Sequence, residues 1–136
     1  MAFAIKTGIP DPAARRFTFA AQKTMYGGKT IAKGDRIFLF ASENEGGCGL
    51  VARGTVSSAE ALSPMPRVAR QTPRVSISVS HIVPAKRPLG RRDLKSFTDW
   101  DDGRPETELN FKFYRQATNK IIGLSDAATR FLDSYF

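Results

Sequence analysis

The sequence predicts an α+β fold: a small mixed β-barrel with a few short peripheral helices. Three features predict it. A turn-strand-loop-strand unit runs from Lys33 to Val56, a strand of alternating character from Arg74 to Val83, and one amphipathic helix follows Ser125. Several short strands with few helices point to a barrel. At 136 residues the chain is expected to form a single domain, residues 1–136, that buries roughly two-thirds of its unfolded surface.

Phe3 to Thr7 is short and β-capable, and Gly8-Ile-Pro-Asp-Pro12 ends it. Residues 13–25 are expected to hold a helical turn or two, against the preference of their β-branched and aromatic members. Tyr26-Gly-Gly-Lys29 reads as a flexible loop. Gly34-Asp35 is a turn signal, and Ile37 to Phe40 is an apolar run rich in β-formers. Glu43-Asn-Glu-Gly-Gly47 then reverses the chain into Leu50 to Val56. Ser63-Pro-Met-Pro66 and Gln71-Thr-Pro73 bracket a connection without periodicity.

From Arg74 the pattern alternates. Val75, Ile77 and Val79 share one face and Ser76, Ser78 and Ser80 the other, so the strand is half-buried. Arg87-Pro88 closes it, and Arg91 to Lys95 fits a short helix. The acidic segment around Trp100 is punctuated by Gly and Pro and reads as a long loop. Phe111 to Arg115 fits strand or helix, and Lys120 to Leu124 a short strand. Ser125 is a good N-cap, with Asp126 at the positive end of the helix dipole. Ala128, Phe131, Leu132 and Tyr135 follow at i, i+3, i+4 and i+7, one face of a terminal helix.

The formal charge is +8 and the pI near 10.1, which fits a polyanionic partner. Residues 67–97 set eight Lys/Arg against Asp93 alone, a local +7, whereas residues 98–111 carry a local −4. Such a basic stretch attracts phosphates without specifying a base. Arg70, Arg74, Lys86, Arg87, Arg91 and Arg92 are its candidate phosphate contacts. One cysteine, Cys48, allows neither an intramolecular disulfide nor a cysteine zinc cluster. No apolar run reaches the roughly 20 residues of a spanning helix, and Met1 to Lys6 is too short for a secretory core. A reducing, cytoplasmic setting without membrane association is the expectation.

Catalytic constellations are sparse. The single histidine, His81, lies inside the alternating strand, where a partly buried position is expected. It has no second His or Cys pair to make a zinc site, and Ser78 and Ser80 are strand neighbours rather than a nucleophile elbow. Gly27-Gly-Lys-Thr30 lacks the upstream glycine of a phosphate-binding P-loop. Asp99, Asp101, Asp102, Glu106 and Glu108 leave open a metal-dependent nuclease or related hydrolase. A module for protein or small-molecule ligands, its charge incidental, is also open. The preferred reading needs no metal or cofactor.

Holding one base takes aromatic faces and a few polar groups for the base edge. Aromatic residues stand near loops or strand ends at Phe3, Tyr26, Phe38, Phe40, Trp100, Phe111, Phe113 and Tyr114, with Arg53, Asn110, Arg115 and Asn119 close by in sequence. Most of the phenylalanines are expected in the core. Trp100, flanked by aspartates, and Tyr26, beside two glycines, stand apart as candidates for ligand contact.

Gly34-Asp-Arg-Ile-Phe-Leu-Phe40 with Ala41-Ser42, the strand Gly49 to Val56, and Arg115-Gln-Ala-Thr-Asn-Lys-Ile-Ile-Gly-Leu-Ser125 resemble, in order, segments of the EVE domain of the PUA-like superfamily, which also includes the YTH readers of methylated adenine. The opening Lys6-Thr-Gly8 stands where that family has a Lys-Ser-Glu-like run, keeping the hydroxyl and losing the acid. Met25-Tyr-Gly-Gly28 replaces the family's Gly-Val-Arg-Asn-Tyr-like run, and residues 98–111 resemble an insertion. The resemblance implies a PUA-like barrel that reads a flipped-out or single-stranded base, such as a methylated cytosine or adenine, in an aromatic pocket, without catalysis. It places Lys6 and Thr7 at the end of the first strand, Phe40 and Ser42 on the pocket wall and Tyr26 on a facing loop; Trp100, Asn110 and Arg115 join them by chemistry and rough position.

Overall fold

The computed structural model describes residues 2–115 and 119–136. Gln116 to Thr118, part of the last segment carrying the resemblance, lie outside them. Six strands close into a barrel in the order β1-β3-β4-β5-β2-β6. β1 (Ala2–Thr7) lies between β3 (Arg36–Ala41), which is parallel to it, and β6 (Lys120–Gly123), which is antiparallel. β2 (Phe17–Met25) completes closure, parallel to β6 through Thr24 and Met25 and antiparallel to β5 (Arg74–Pro84). β4 (Gly49–Ala61) pairs antiparallel with both β3 and β5. This is the small mixed α+β barrel with short peripheral helices that the sequence predicts.

The period of two divides the core into two layers. Phe3 and Ile5 of β1, Ile37 and Leu39 of β3, and Val75, Ile77 and Val79 of β5 fill the barrel interior. Ala2, Ala4, Phe38 and Phe40 point outward, yet they are buried as well. Over them pack Leu94 of α1 (Arg91–Leu94), Leu109 of α2 (Pro105–Asn110), Phe113, and Ala128 and Leu132 of α3 (Asp126–Asp133). The helices therefore cover one side of the barrel. Ser125 caps α3 as expected, its hydroxyl accepting from the Ala128 N–H at 3.1 Å.

Three expectations are corrected and one left open is settled. Residues 17–25 form β2 rather than helical turns, because Phe17 and Phe19 alternate into the barrel and pairing with two neighbours overrides local propensity. The acidic segment is not all loop: Pro105 opens α2, with Glu106 and Glu108 in its first turn. Phe111–Arg115 continues from α2 as a π-helical turn. His81 is exposed rather than partly buried, at φ 54° where the β4–β5 register shifts. Gly28 is fixed by contact, since a Cβ there would collide with the Ile121 carbonyl oxygen.

Candidate functional site

Parallel β1 and β3 end side by side, at Thr7 and Ala41. The Ser42 N–H donates to the Thr7 carbonyl at 2.9 Å, and a 3-10 turn, Glu43–Glu45, rises beyond the strand ends. Gly47 folds back beneath it, where a Cβ would meet Ala41 backbone at 2.5 Å. Across the barrel, a register shift in β2 between Phe19 and Gln22 opens the wall. Ala21 stands at φ 50° in this bulge, its N–H donating to Ser76 Oγ and its carbonyl accepting from Arg74 at 2.8 Å. Bulges of this kind re-aim side chains at barrel rims.

Between these edges lies a polar cavity of about 500 Å³ lined by Thr7, Gln22, Lys23, Asn44, Glu45, Arg74 and Asn119, with Ala21. Asn119 Nδ2 donates to Glu45 Oε2 at 3.0 Å, and Arg91 donates to Asn44 Oδ1 at 3.0 Å. Gly8 leaves room for this pair, since a Cβ there would stand 2.8 Å from Glu45 Oε2. The mouth thus offers two cations, several neutral donors and one carboxylate acceptor.

Outward from the mouth, under the 105–115 helical segment, Lys6 and Lys120 occupy paired positions of β1 and β6 and are both buried. Lys6 donates to the Phe113 carbonyl, and its Nζ lies 4.3 Å from the centre of the Tyr114 ring. Lys120 has the Met25 sulfur at 3.0 Å and the Tyr26 ring at 5.7 Å. Among the described residues, neither makes a salt bridge. Tyr114 donates to Glu43 at 3.0 Å, and burial together with that carboxylate drives its hydroxyl well above the usual range. Among the described residues, buried Ser42 Oγ has no hydrogen-bond partner.

Burial, opposed by Glu43 and aided by the charges of Arg91 and Lys120, lowers the Lys6 pKa from 10.5 to about 8. Burial lowers Lys120 in the same direction. Between about 8 and 10.5 the unfolded chain holds a proton that folded Lys6 has lost, so stability rises with pH through that window. Denaturation at pH 7.5 and pH 10 is expected to show this rise, and Lys6→Met to diminish it. A Lys6→Met rise equal to that of the parent would contradict the assignment.

A second feature lies on the helical side. Trp100 meets Phe111 edge-on at 5.5 Å, and Tyr26 meets the same ring at 6.2 Å. The Arg115 guanidinium covers Trp100 at 5.0 Å and Phe111 at 5.1 Å. Trp100 keeps 37% of its surface exposed, beside a cavity of about 250 Å³ lined by residues that include Arg104, Glu108 and Lys112. Arg115 on this shelf and Asn119 at the mouth are four residues apart, so their backbones lie within about 14 Å.

The sequence candidates therefore separate. Thr7, Arg74 and Arg91 reach the mouth or its rim, and Tyr26, Trp100 and Arg115 assemble around Phe111. Phe40 is wholly buried, 5.0 Å from Phe113, and Asn110 is buried with its amide donating to the Phe97 carbonyl. Lys6 and Ser42 lie buried beneath the site. Arg70 stands on the neighbouring loop and Arg92 on exposed α1, while Lys86 and Arg87 hold the chain end: the Lys86 N–H donates to the Tyr135 carbonyl and Arg87 to Ser134. The basic stretch is thus divided among several surfaces. Sequence reasoning missed Lys23, Asn44, Glu45 and Lys120; the turn after β3 was the signal for Asn44 and Glu45, and only the strand register reveals the other two.

Two of the acidic residues, Asp102 and Glu108, are engaged by the fold. Asp102 accepts from Arg104 N–H and Thr107, and its pKa is lowered chiefly by the first of these bonds. Glu108 accepts from Ser125 and Lys112, tying α2 to the start of α3. Among the described residues no group of three or more His, Cys, Asp or Glu is placed to hold a metal ion. Nor is any helix among them long and apolar enough to cross a membrane.

A closed mixed barrel with a polar mouth and an adjoining aromatic shelf defines the class of this molecule. No protein-family model and no curated protein matches the chain. Solved structures do match. The DUF55 domain of human thymocyte nuclear protein 1 aligns with a TM-score of 0.64 at 14% identity, over 98% of this chain and 97% of that one. Human THYN1 in complex with 5-methylcytosine-containing DNA aligns at 0.63 and 13%, over 98% and 95%. A Pseudomonas putida protein aligns at 0.62 and 12%, over 99% of both chains. The chain has the fold of these proteins, which bears out the sequence resemblance at that level.

Proposed function

We propose that this chain is a non-enzymatic nucleic-acid-binding module that holds one unpaired or flipped-out nucleotide at the barrel mouth, with a neighbouring base on the Trp100–Phe111 shelf. The observation that carries this reading is the polar cavity of about 500 Å³ flanked by Lys23 and Arg74. Its volume suits a ligand of nucleotide size, and the two cations suit a phosphate. Glu45 and Asn119 inside it present an acceptor beside an amide. A carboxylate accepts from the exocyclic amine of cytosine, and an amide pairs with both edge groups of adenine. The mouth thereby favours an amine-bearing base over thymine or uracil. Human THYN1, of the same fold, is seen with 5-methylcytosine-containing DNA, which supports a methylated base as the ligand. A methyl group buried among apolar groups contributes only about 1 kcal/mol, and the mouth is lined mainly by polar side chains, so the preference for methylation is expected to be at most several-fold.

The test is binding, at physiological salt, to matched short DNA and RNA strands with and without methylated cytosine or adenine. Preference for an amine-bearing, methylated strand is expected; equal binding to every strand, oligo-dT included, would reduce the site to a basic surface. Trp100→Ala is expected to weaken binding by about 5- to 150-fold, the range for losing one stacked base. Because the indole lies at the surface, the melting temperature should hold. A large fall in Tm would instead return Trp100 to the core.

A further inference from the structure

β4 runs past its partner β3 and, paired with β5, carries the loop between Ala61 and Arg74. Three anchors fix the loop. The Leu62 N–H donates to the Arg74 carbonyl at 3.0 Å, and the Thr24 N–H and hydroxyl both donate to the Pro73 carbonyl. Inside the loop, Gln71 accepts from the Met65 N–H and donates to the carbonyls of Met65 and Val68 at 2.8 and 3.0 Å. Pro64, Pro66 and Pro73 restrict the backbone further. Little entropy remains to be lost when this loop meets a partner.

The loop nevertheless presents apolar groups to water. Met65 is 68% exposed, Val68 46% and Leu62 41%. Among the described residues six large hydrophobics are exposed, and three of them fall within these seven positions. Scattered exposed hydrophobics are ordinary, but a cluster on a stapled loop marks a contact surface. Arg67, Arg70 and Arg74 accompany them, and no acidic residue occurs from Ala61 to Arg74. Lys23 and Arg74 line both the cavity under this loop and the mouth cavity. A strand whose phosphates rest on that pair therefore brings its next bases to Met65.

We infer that the 62–73 loop is a wedge: Met65, with Leu62 and Val68, enters a nucleic-acid duplex beside the nucleotide held at the mouth, while Arg67 and Arg70 hold the flanking phosphates. This rests on the proposed mouth site and adds the step by which a paired base becomes available to it. Apolar side chains of this kind part base steps in other DNA-binding proteins, and the unstacking they offset is a few kcal/mol per step.

The experiment compares the full chain with Met65→Ala and with the double variant Leu62→Ser/Val68→Ser. Each is titrated against one oligonucleotide sequence as a single strand and as a duplex, with 2-aminopurine beside the target base. Duplex affinity is expected to fall about tenfold or more, single-strand affinity to stay within about twofold, the 2-aminopurine rise to disappear, and Tm to be unchanged. Retained duplex affinity and fluorescence, or equal losses on both substrates, would overturn the wedge. So would Met65-dependent binding to anionic phosphatidylserine vesicles without any effect on duplex binding. Failure of the mouth reading has a different signature: Lys23→Glu/Arg74→Glu would then leave single-strand binding intact.

Discussion

Lys23→Glu/Arg74→Glu is expected to lower affinity for a single-stranded oligonucleotide by about 100-fold and to flatten its salt dependence. The two side chains flank the mouth cavity from paired positions of β2 and β5. Each phosphate of a single strand that is deprived of its cation reduces the slope of log affinity against log salt by about 0.7, so removing both cations takes away about 1.4. Reversal also places two carboxylates beside Glu45, which adds repulsion to the missing attraction. Arg74 further braces the bulge through the Ala21 carbonyl, so Arg74→Lys serves as a control that keeps the charge and alters that bond. Anisotropy titrations at three salt concentrations read the slope directly. A slope equal to that of the parent chain would place the phosphates elsewhere on the surface.

Phe40→Ala is expected to destabilise the fold by about 3–5 kcal/mol, the range for emptying a large aromatic site in a core. Phe40 is fully buried between β3 and Phe113, their ring centres 5.0 Å apart. With about 2–4 °C per kcal/mol near this chain length, Tm should fall by about 6–20 °C. Thermal unfolding followed by circular dichroism measures it. A variant that melts with the parent but loses nucleic acid would restore Phe40 to the pocket wall.

Phe40 also shows what the sequence did and did not make legible. The Gly34–Phe40 run identified its strand, and the alternation of Val75, Ile77 and Val79 identified another, because side-chain period follows from strand geometry alone. Ser125 marked the last helix by capping chemistry. Which face of β3 bears a ligand was not legible, because both faces are apolar and both are buried, one by the barrel interior and the other by the helices. The misreading of residues 13–25 has a related cause: β2 is defined by pairing with β5 and β6, both distant in sequence.

The site was legible only in pieces. Thr7, Arg74 and Asn119 meet at the mouth because the barrel closes, and no local pattern encodes closure. Trp100 and Tyr26 stood out by context, and the structure joins them through Phe111, which the sequence had assigned to the core with the other phenylalanines. Charge was the least faithful guide. The 67–97 stretch suggested one phosphate surface, yet Arg87 stacks on Tyr135 at 4.2 Å while Arg74 stands at the mouth.

The most direct measurement is a titration of the ¹⁵N-labelled chain with a short single-stranded oligonucleotide, observed by NMR. A nucleotide held at the mouth predicts saturable shifts at Thr7, Gln22, Lys23, Asn44, Glu45 and Asn119, with a second set at Trp100 and Phe111. Shifts confined to Lys86, Arg87 and the end of α3, with the mouth unchanged, would contradict the site.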